Sequence, residues 1–195
     1  MMTRTFRVAA VLAAFVAGAA ALSAAIFLAL PGETTKPSAI GGPFQLVDQN
    51  GRAVTDADFK GRTLLVFFGF THCPDICPTT LFEISEVLKR LGADADKAAA
   101  LFVTVDPERD TPEKLKDYLS SFHPRIFGLS GTPAEIEAVK RAYRVYAKKV
   151  LLEGGEYTMD HSAVIYLMDK QGRFVAPFNL KRTAEEAAAD LKRRL

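Results

Sequence analysis

The chain carries two cysteines, Cys73 and Cys77, separated by three residues, and three histidines, His72, His123 and His161. A disulfide across so short a loop would restrict the unfolded chain very little, so reversible redox chemistry or metal ligation explains the pair better than a structural crosslink. Residues four apart on one helical turn bring their β-carbons to about 5–6 Å on a single face, close enough for one ion to join both sulfurs. Bridged α-carbons lie about 4.4–6.8 Å apart, so dithiol and disulfide are both reachable. A helix N-terminus adds the positive end of the macrodipole, which favours thiolate. Pro74 and Pro78 stiffen the segment 69–78, GFTHCPDICP. The plainer alternative, two buried cysteines without a task, leaves the spacing and the prolines unexplained.

Of the imidazoles, His72 adjoins Cys73, and adjacent side chains diverge on a helical turn. His123, in SFHP at 121–124, reads as a surface or helix-capping residue. His161 stands in YTMDHS at 157–162, directly before an apolar strand pattern. Two thiolates and one imidazole form a soft set of three donors that suits Cu(I), and holds Cu(II) when a further ligand completes the geometry. Zinc in structural sites takes four ligands, and no fourth is obvious here. Asp75, between the cysteines, either lends an oxygen or tunes the site from behind its ligands, or simply answers the helix dipole.

These residues need a scaffold. Residues 44–47 and 53–55 flank the turn DQNG and predict a hairpin, since Asn-Gly readily adopts positive φ. TLLVFF at 63–68 and LFVTV at 101–105 are continuous apolar runs, the pattern of strands buried on both faces. Between them a helical pattern covers 78–91, placing the cysteines in a strand-to-helix loop, where open α/β sheets set their ligand sites. Thr111-Pro112 opens a second helix, and the capping-box spacing of Thr132 and Glu135 starts a third that runs to about Ala147. AVIYLM at 163–168 is a further core strand, turned at 170–172 into Phe174-Val175, and Thr183 with Glu186 caps a terminal helix. The expected fold is α/β, a thioredoxin-like central sheet flanked by helices with an added hairpin at each end. In such a sheet the loop before the last core strand faces the cysteine loop and usually carries a cis-proline. No proline lies between Pro133 and Pro177, and His161 occupies that loop instead.

Composition bounds the rest. Hydrophobic residues make up 49% and charged residues 25%, the balance of a folded chain. The 25 basic residues exceed the 23 acidic ones by two, and Arg4 and Arg7 account for that excess. A neutral body without a basic run argues against nucleic acid as a partner. Residues 8–30 carry no charge, long enough for a spanning helix of about 20 residues, so 1–30 is expected to be a membrane anchor. A long signal peptide cut near 19–25 is the alternative. Arg4 and Arg7 place the N-terminus in the cytoplasm and the remainder outside, as a single-pass protein of the inner membrane facing the periplasm, or a mitochondrial equivalent. Residues 31–43, rich in Pro, Gly, Ser and Thr, read as a linker, and 44–195 as the folded domain.

Together GFTHCPDICP (69–78), VDPERDTP (105–112) and DHS (160–162) resemble the Sco/SenC family of copper chaperones for cytochrome c oxidase assembly, from Ile40 onward and in family order. The resemblance implies a thioredoxin fold, one copper ion held by Cys73, Cys77 and His161 with Asp75 as an auxiliary, and delivery of copper to, or reduction of cysteines in, the binuclear copper site of oxidase subunit II. Other copper chaperones and thioredoxin-like reductases are further implied partners. Asp106, Glu108, Arg109 and Asp110 then shape the rim of the site or a docking surface, or form a loop closed by its own hydrogen bonds. The competing function is a membrane-tethered thiol:disulfide oxidoreductase using Cys73 and Cys77 without an essential metal. A peroxidase is disfavoured, because Val66 and Phe70 stand where a peroxiredoxin carries its proline and threonine.

Overall fold

The computed structural model describes residues 12–23 and 40–195. The chain divides into two compact units between Lys36 and Pro37. In the first, residues 12–23 are helical. Among the described residues no helix is long and apolar enough to cross a membrane. The ends of the expected span 8–30, and most of the expected linker, lie outside the described residues.

The second unit begins with the expected hairpin, β1 (Gln45–Asp48) and β2 (Ala53–Thr55), turned with Gly51 at φ 78°. Next come β3 (Thr63–Gly69), α1 (Ile76–Leu91), β4 (Ala98–Thr104), α2 (Pro112–Leu119) and β5 (Ile126–Ser130). These are followed by α3 (Pro133–Tyr143), β6 (Ala147–Leu151), β7 (Tyr157–His161), β8 (Ile165–Met168), β9 (Phe174–Pro177) and α4 (Ala184–Lys192). Seven strands form one mixed sheet in the order β2-β1-β5-β4-β3-β8-β9, with β3, β4 and β5 parallel and the outer pairs antiparallel. This is the thioredoxin-like α/β arrangement. Every residue of β3 and β4 is buried, because crossover helices leave neither face of a central parallel strand to water. Helix α1 buries Leu81, Ile84, Leu88 and Leu91 and packs against α4.

Thr132 and Thr183 each close a capping box with Glu135 and Glu186, as their spacing predicts, and Thr111 accepts the Lys114 amide with Pro112 at the first helical position. Helix α3, however, stops at Tyr143 rather than near Ala147. Arg144 turns the chain with φ 56°, and the following residues pair as β6 with β7 in a separate two-stranded sheet. The buried Tyr143 ring packs against Phe68 and Tyr166, so the helix ends where its last core contact ends. No glycine marks that left-handed position, which is why helical periodicity alone overruns it. His161 accordingly ends a strand rather than occupying a loop, and β5 and the β6–β7 hairpin go beyond the predicted elements. At the other boundary, Ile40 packs on the core and the Gly41 amide donates to the Ala142 carbonyl at 2.9 Å.

Candidate metal centre

At the end of β3 the chain turns through residues 70–75 into α1. Helix α1 begins two residues earlier than predicted, with Asp75 as N-cap and Ile76, Cys77 and Pro78 as its first turn. Pro78 is tolerated because first-turn amides have no intrahelical partner. Cys73 therefore lies outside the helix, and the two cysteines do not share one helical turn. A tight turn brings them together instead. The Cys73 amide donates to the Phe70 carbonyl at 3.3 Å, and the Cys77 amide, an orphan of the helix start, donates to Cys73 Sγ at 3.4 Å.

Cys77 is fully buried and Cys73 half-buried, and both are free thiols. Burial pushes the Cys77 thiol well above the usual thiol range, and the backbone contact at Phe70 opposes this only in part. The favourable helix N-terminus is thus outweighed by desolvation at this sulfur, contrary to the expectation from position alone. Gly69 makes the burial possible, since a β-carbon there would lie 2.7 Å from Cys77 Sγ and 2.6 Å from the Phe102 ring. Gly69→Ala should therefore displace the sulfur and cost about 1–3 kcal/mol, as overpacking of a close-packed core does. Denaturant unfolding of the metal-free chain checks this, and an unchanged midpoint would show that the contact yields freely.

His161 ends β7 opposite Ala147, and its Nε2 lies 3.7 Å from Cys77 Sγ. Its Nδ1 is 3.1 Å from the Ser162 carbonyl, and the tautomer donating that bond leaves the Nε2 lone pair facing the sulfur. Phe70 meets the ring edge-on with centroids 5.7 Å apart, and Phe67 flanks it at 6.4 Å. The two sulfurs and the imidazole nitrogen all lie within 4.8 Å of one another, and no other such group of three ligating side chains occurs among the described residues. A metal–sulfur bond of about 2.3 Å and a metal–nitrogen bond of about 2.0 Å, opened to a trigonal angle, separate sulfur from nitrogen by about 3.7 Å. The donor set fits one soft ion.

Asp75 is exposed and is not one of the three donors within 4.8 Å of one another, but it lines the same groove as Cys73 and His161. Its carboxylate lies 3.5 Å from the Thr79 hydroxyl, and Pro74, Ile76, Met159 and Ala163 also line that open groove. His72 is exposed beside the Thr71 hydroxyl. His123 pins the turn after α2, its amide donating to Ser85 Oγ at 3.0 Å and its Nδ1 accepting from the Arg125 amide at 3.2 Å, rather than capping a helix.

The segment 105–112 holds both halves of the site by internal hydrogen bonds. Asp110, fully buried, accepts the Thr71 amide at 3.0 Å and the Thr71 and Thr104 hydroxyls at 2.6 Å, fixing the cysteine turn to the end of β4. Buried Asp106 accepts the Arg109 guanidinium and, at 2.9 Å, the hydroxyl of Tyr157 on β7. Thr71, Thr104 and Tyr157 escaped sequence reasoning because each acts through an aspartate, and two of those links span 39 and 51 residues.

Residues 32–195 match the family model described as SCO1/SenC. The chain is 41% identical over 145 residues to protein SCO1 homolog 1 of Arabidopsis thaliana, a match covering 74% of this chain and 43% of that protein, so it spans less than half of that relative's length. The structure of Bradyrhizobium japonicum ScoI with copper bound is 70% identical, with a TM-score of 0.78 over 80% of this chain and 99% of that one. Yeast Sco1 with copper bound is 38% identical, with a TM-score of 0.72 over 80% of this chain and 88% of that one.

Proposed function

This chain belongs to the SCO1/SenC family, and from that premise we propose that it is a copper metallochaperone, holding one copper ion through Cys73, Cys77 and His161 for delivery to the binuclear copper site of cytochrome c oxidase subunit II. The observation that carries the reading is the convergence of two sulfurs and one imidazole nitrogen within 4.8 Å, a donor set matched to Cu(I). The copper-bound relatives of the same fold support it. The groove beside the trio, lined by Ile76, Met159 and Ala163, leaves the site accessible for transfer. The uncharged stretch 8–30 behind Arg4 and Arg7 supports an anchor in the inner membrane with the copper domain in the periplasm. Other copper chaperones would serve as donors, and thioredoxin-like reductases would keep the cysteines reduced.

Metal analysis and absorption spectra of the full chain test this reading. Anaerobic reconstitution should give one copper per chain, and the Cu(II) form should show intense visible sulfur-to-copper charge transfer. A colourless, copper-free product would instead favour thiol:disulfide exchange, a second reading supported by two free cysteines already in contact. Copper uptake must also displace the Cys77 proton, which burial holds tightly. Apparent affinity should therefore rise with pH, by at least about tenfold per unit between pH 6 and 8. Competition titrations would read this directly, and a flat profile would exclude Cys77 thiolate as a ligand.

A further inference from the structure

The hairpin β6–β7 is a sheet of its own, hydrogen-bonded to neither edge of the main sheet. Two strands alone are marginally stable in water, so side chains must decide where this hairpin rests and with it where His161 sits. Near His161 the hairpin is closed locally, with the Ser162 amide donating to the Tyr146 carbonyl at 3.0 Å. At the opposite end, Tyr157 is the first residue of β7 and meets a cluster from the 105–112 segment. The Arg109 guanidinium lies 3.7 Å over the Tyr157 ring and donates to the Tyr157 carbonyl at 3.0 Å. Asp106 joins them, accepting from both Arg109 and the Tyr157 hydroxyl. Lys149, from β6, lies 3.9 Å from the centre of the same ring and pairs with Glu108. Arg109 also stands 5.9 Å over Phe70, the ring whose neighbour is the His161 imidazole.

We propose that Arg109 and Tyr157 are positioning residues that dock the His161 hairpin against the cysteine turn, so that their contacts set the copper affinity of the site without either residue touching the ion. The proposal rests on the copper reading above and extends it. A cationic fork stacked on an aromatic face and bonded to its backbone carbonyl fixes both the height and the rotation of β7. Phe70 then limits the ring of His161 from the other side. When this contact fails, the hairpin is free to lift, and the site retains two sulfurs and loses its nitrogen.

The test uses the full chain, loaded with copper and compared with Arg109→Ala and Tyr157→Phe. Wild-type protein that takes up no copper would sink the metallochaperone reading itself, before either variant is considered. Given wild-type binding, Arg109→Ala should weaken copper by about 10- to 100-fold, the range seen when groups that orient metal ligands are lost. Nitrogen superhyperfine structure in the Cu(II) paramagnetic resonance spectrum, which reports the imidazole, should diminish in step. Tyr157→Phe keeps the ring and the backbone carbonyl but loses the bond to Asp106, and should weaken copper by about tenfold. It decides the matter if Arg109→Ala does not fold. Wild-type affinity in both variants would overturn the proposal, and so would weakened binding with the nitrogen signature intact, because Arg109 would then support the fold and not the ligand.

Discussion

Replacing Cys77 with serine should lower copper affinity by at least about a thousandfold, or about 4 kcal/mol, close to an equal share of the free energy a chelating site of a few ligands provides. Serine cannot supply a soft anionic donor at neutral pH, and the remaining sulfur and imidazole leave Cu(I) with two ligands. The same substitution should also destabilise the metal-free fold by about 1–3 kcal/mol, because Cys77 is fully buried and a hydroxyl, harder to desolvate than a thiol, must sit in the crowded space beside Gly69 and Phe102, with the His161 nitrogen 3.7 Å from the sulfur it replaces. Cys73→Ser separates the two effects. Cys73 is half-buried beside an open groove, so its replacement should cost a comparable share of the copper affinity and little stability. Competition with a calibrated Cu(I) chelator and denaturant unfolding of the metal-free proteins measure the two quantities. Retention of tight copper binding by either variant would remove that sulfur from the ligand set.

Replacing His161 with alanine should abolish stable copper binding while leaving the Cys73–Cys77 disulfide able to form. The imidazole is the only nitrogen in the converging trio, whereas the contact between the two cysteines is made by the turn at 70–77 and does not involve β7. The ring is also half-buried among Phe67 and Phe70, so its removal leaves a small apolar gap rather than an orphaned charge. Copper content after dialysis, with thiol titration before and after mild oxidation, reads both halves of the expectation. Copper held at wild-type affinity by this variant would favour the thiol:disulfide oxidoreductase, and failure of the cysteines to oxidise would show that the hairpin braces their turn as well.

The three donors could be named from residue types and their order along the chain. Cysteine and histidine are rare here, and each carries chemistry that few other side chains supply, so a pair at 73 and 77 and an imidazole before a core strand stand out against the background. The buried strands β3 and β4 and the capped starts of α2, α3 and α4 were legible for a related reason: hydrophobic runs, prolines and capping boxes act over a few residues and depend little on distant partners. The end of α3, the β6–β7 hairpin and the placement of Cys73 outside α1 were not, since each follows from contacts between remote segments. Arg144 adopts a left-handed conformation without the glycine that would announce it, and Asp106 and Asp110 act through partners on other elements.

Residue identity alone therefore determined which atoms could bind an ion and which softness of metal they prefer, because donor chemistry belongs to the side chain. Tertiary structure decided that these atoms meet. It buried Cys77 behind Gly69 and so set the proton that copper must displace, and it carried His161 to within 3.7 Å of that sulfur on a hairpin the main sheet does not hold. Distance and desolvation are properties of the packed chain, in which those two ligands stand 84 positions apart, and local sequence does not encode them.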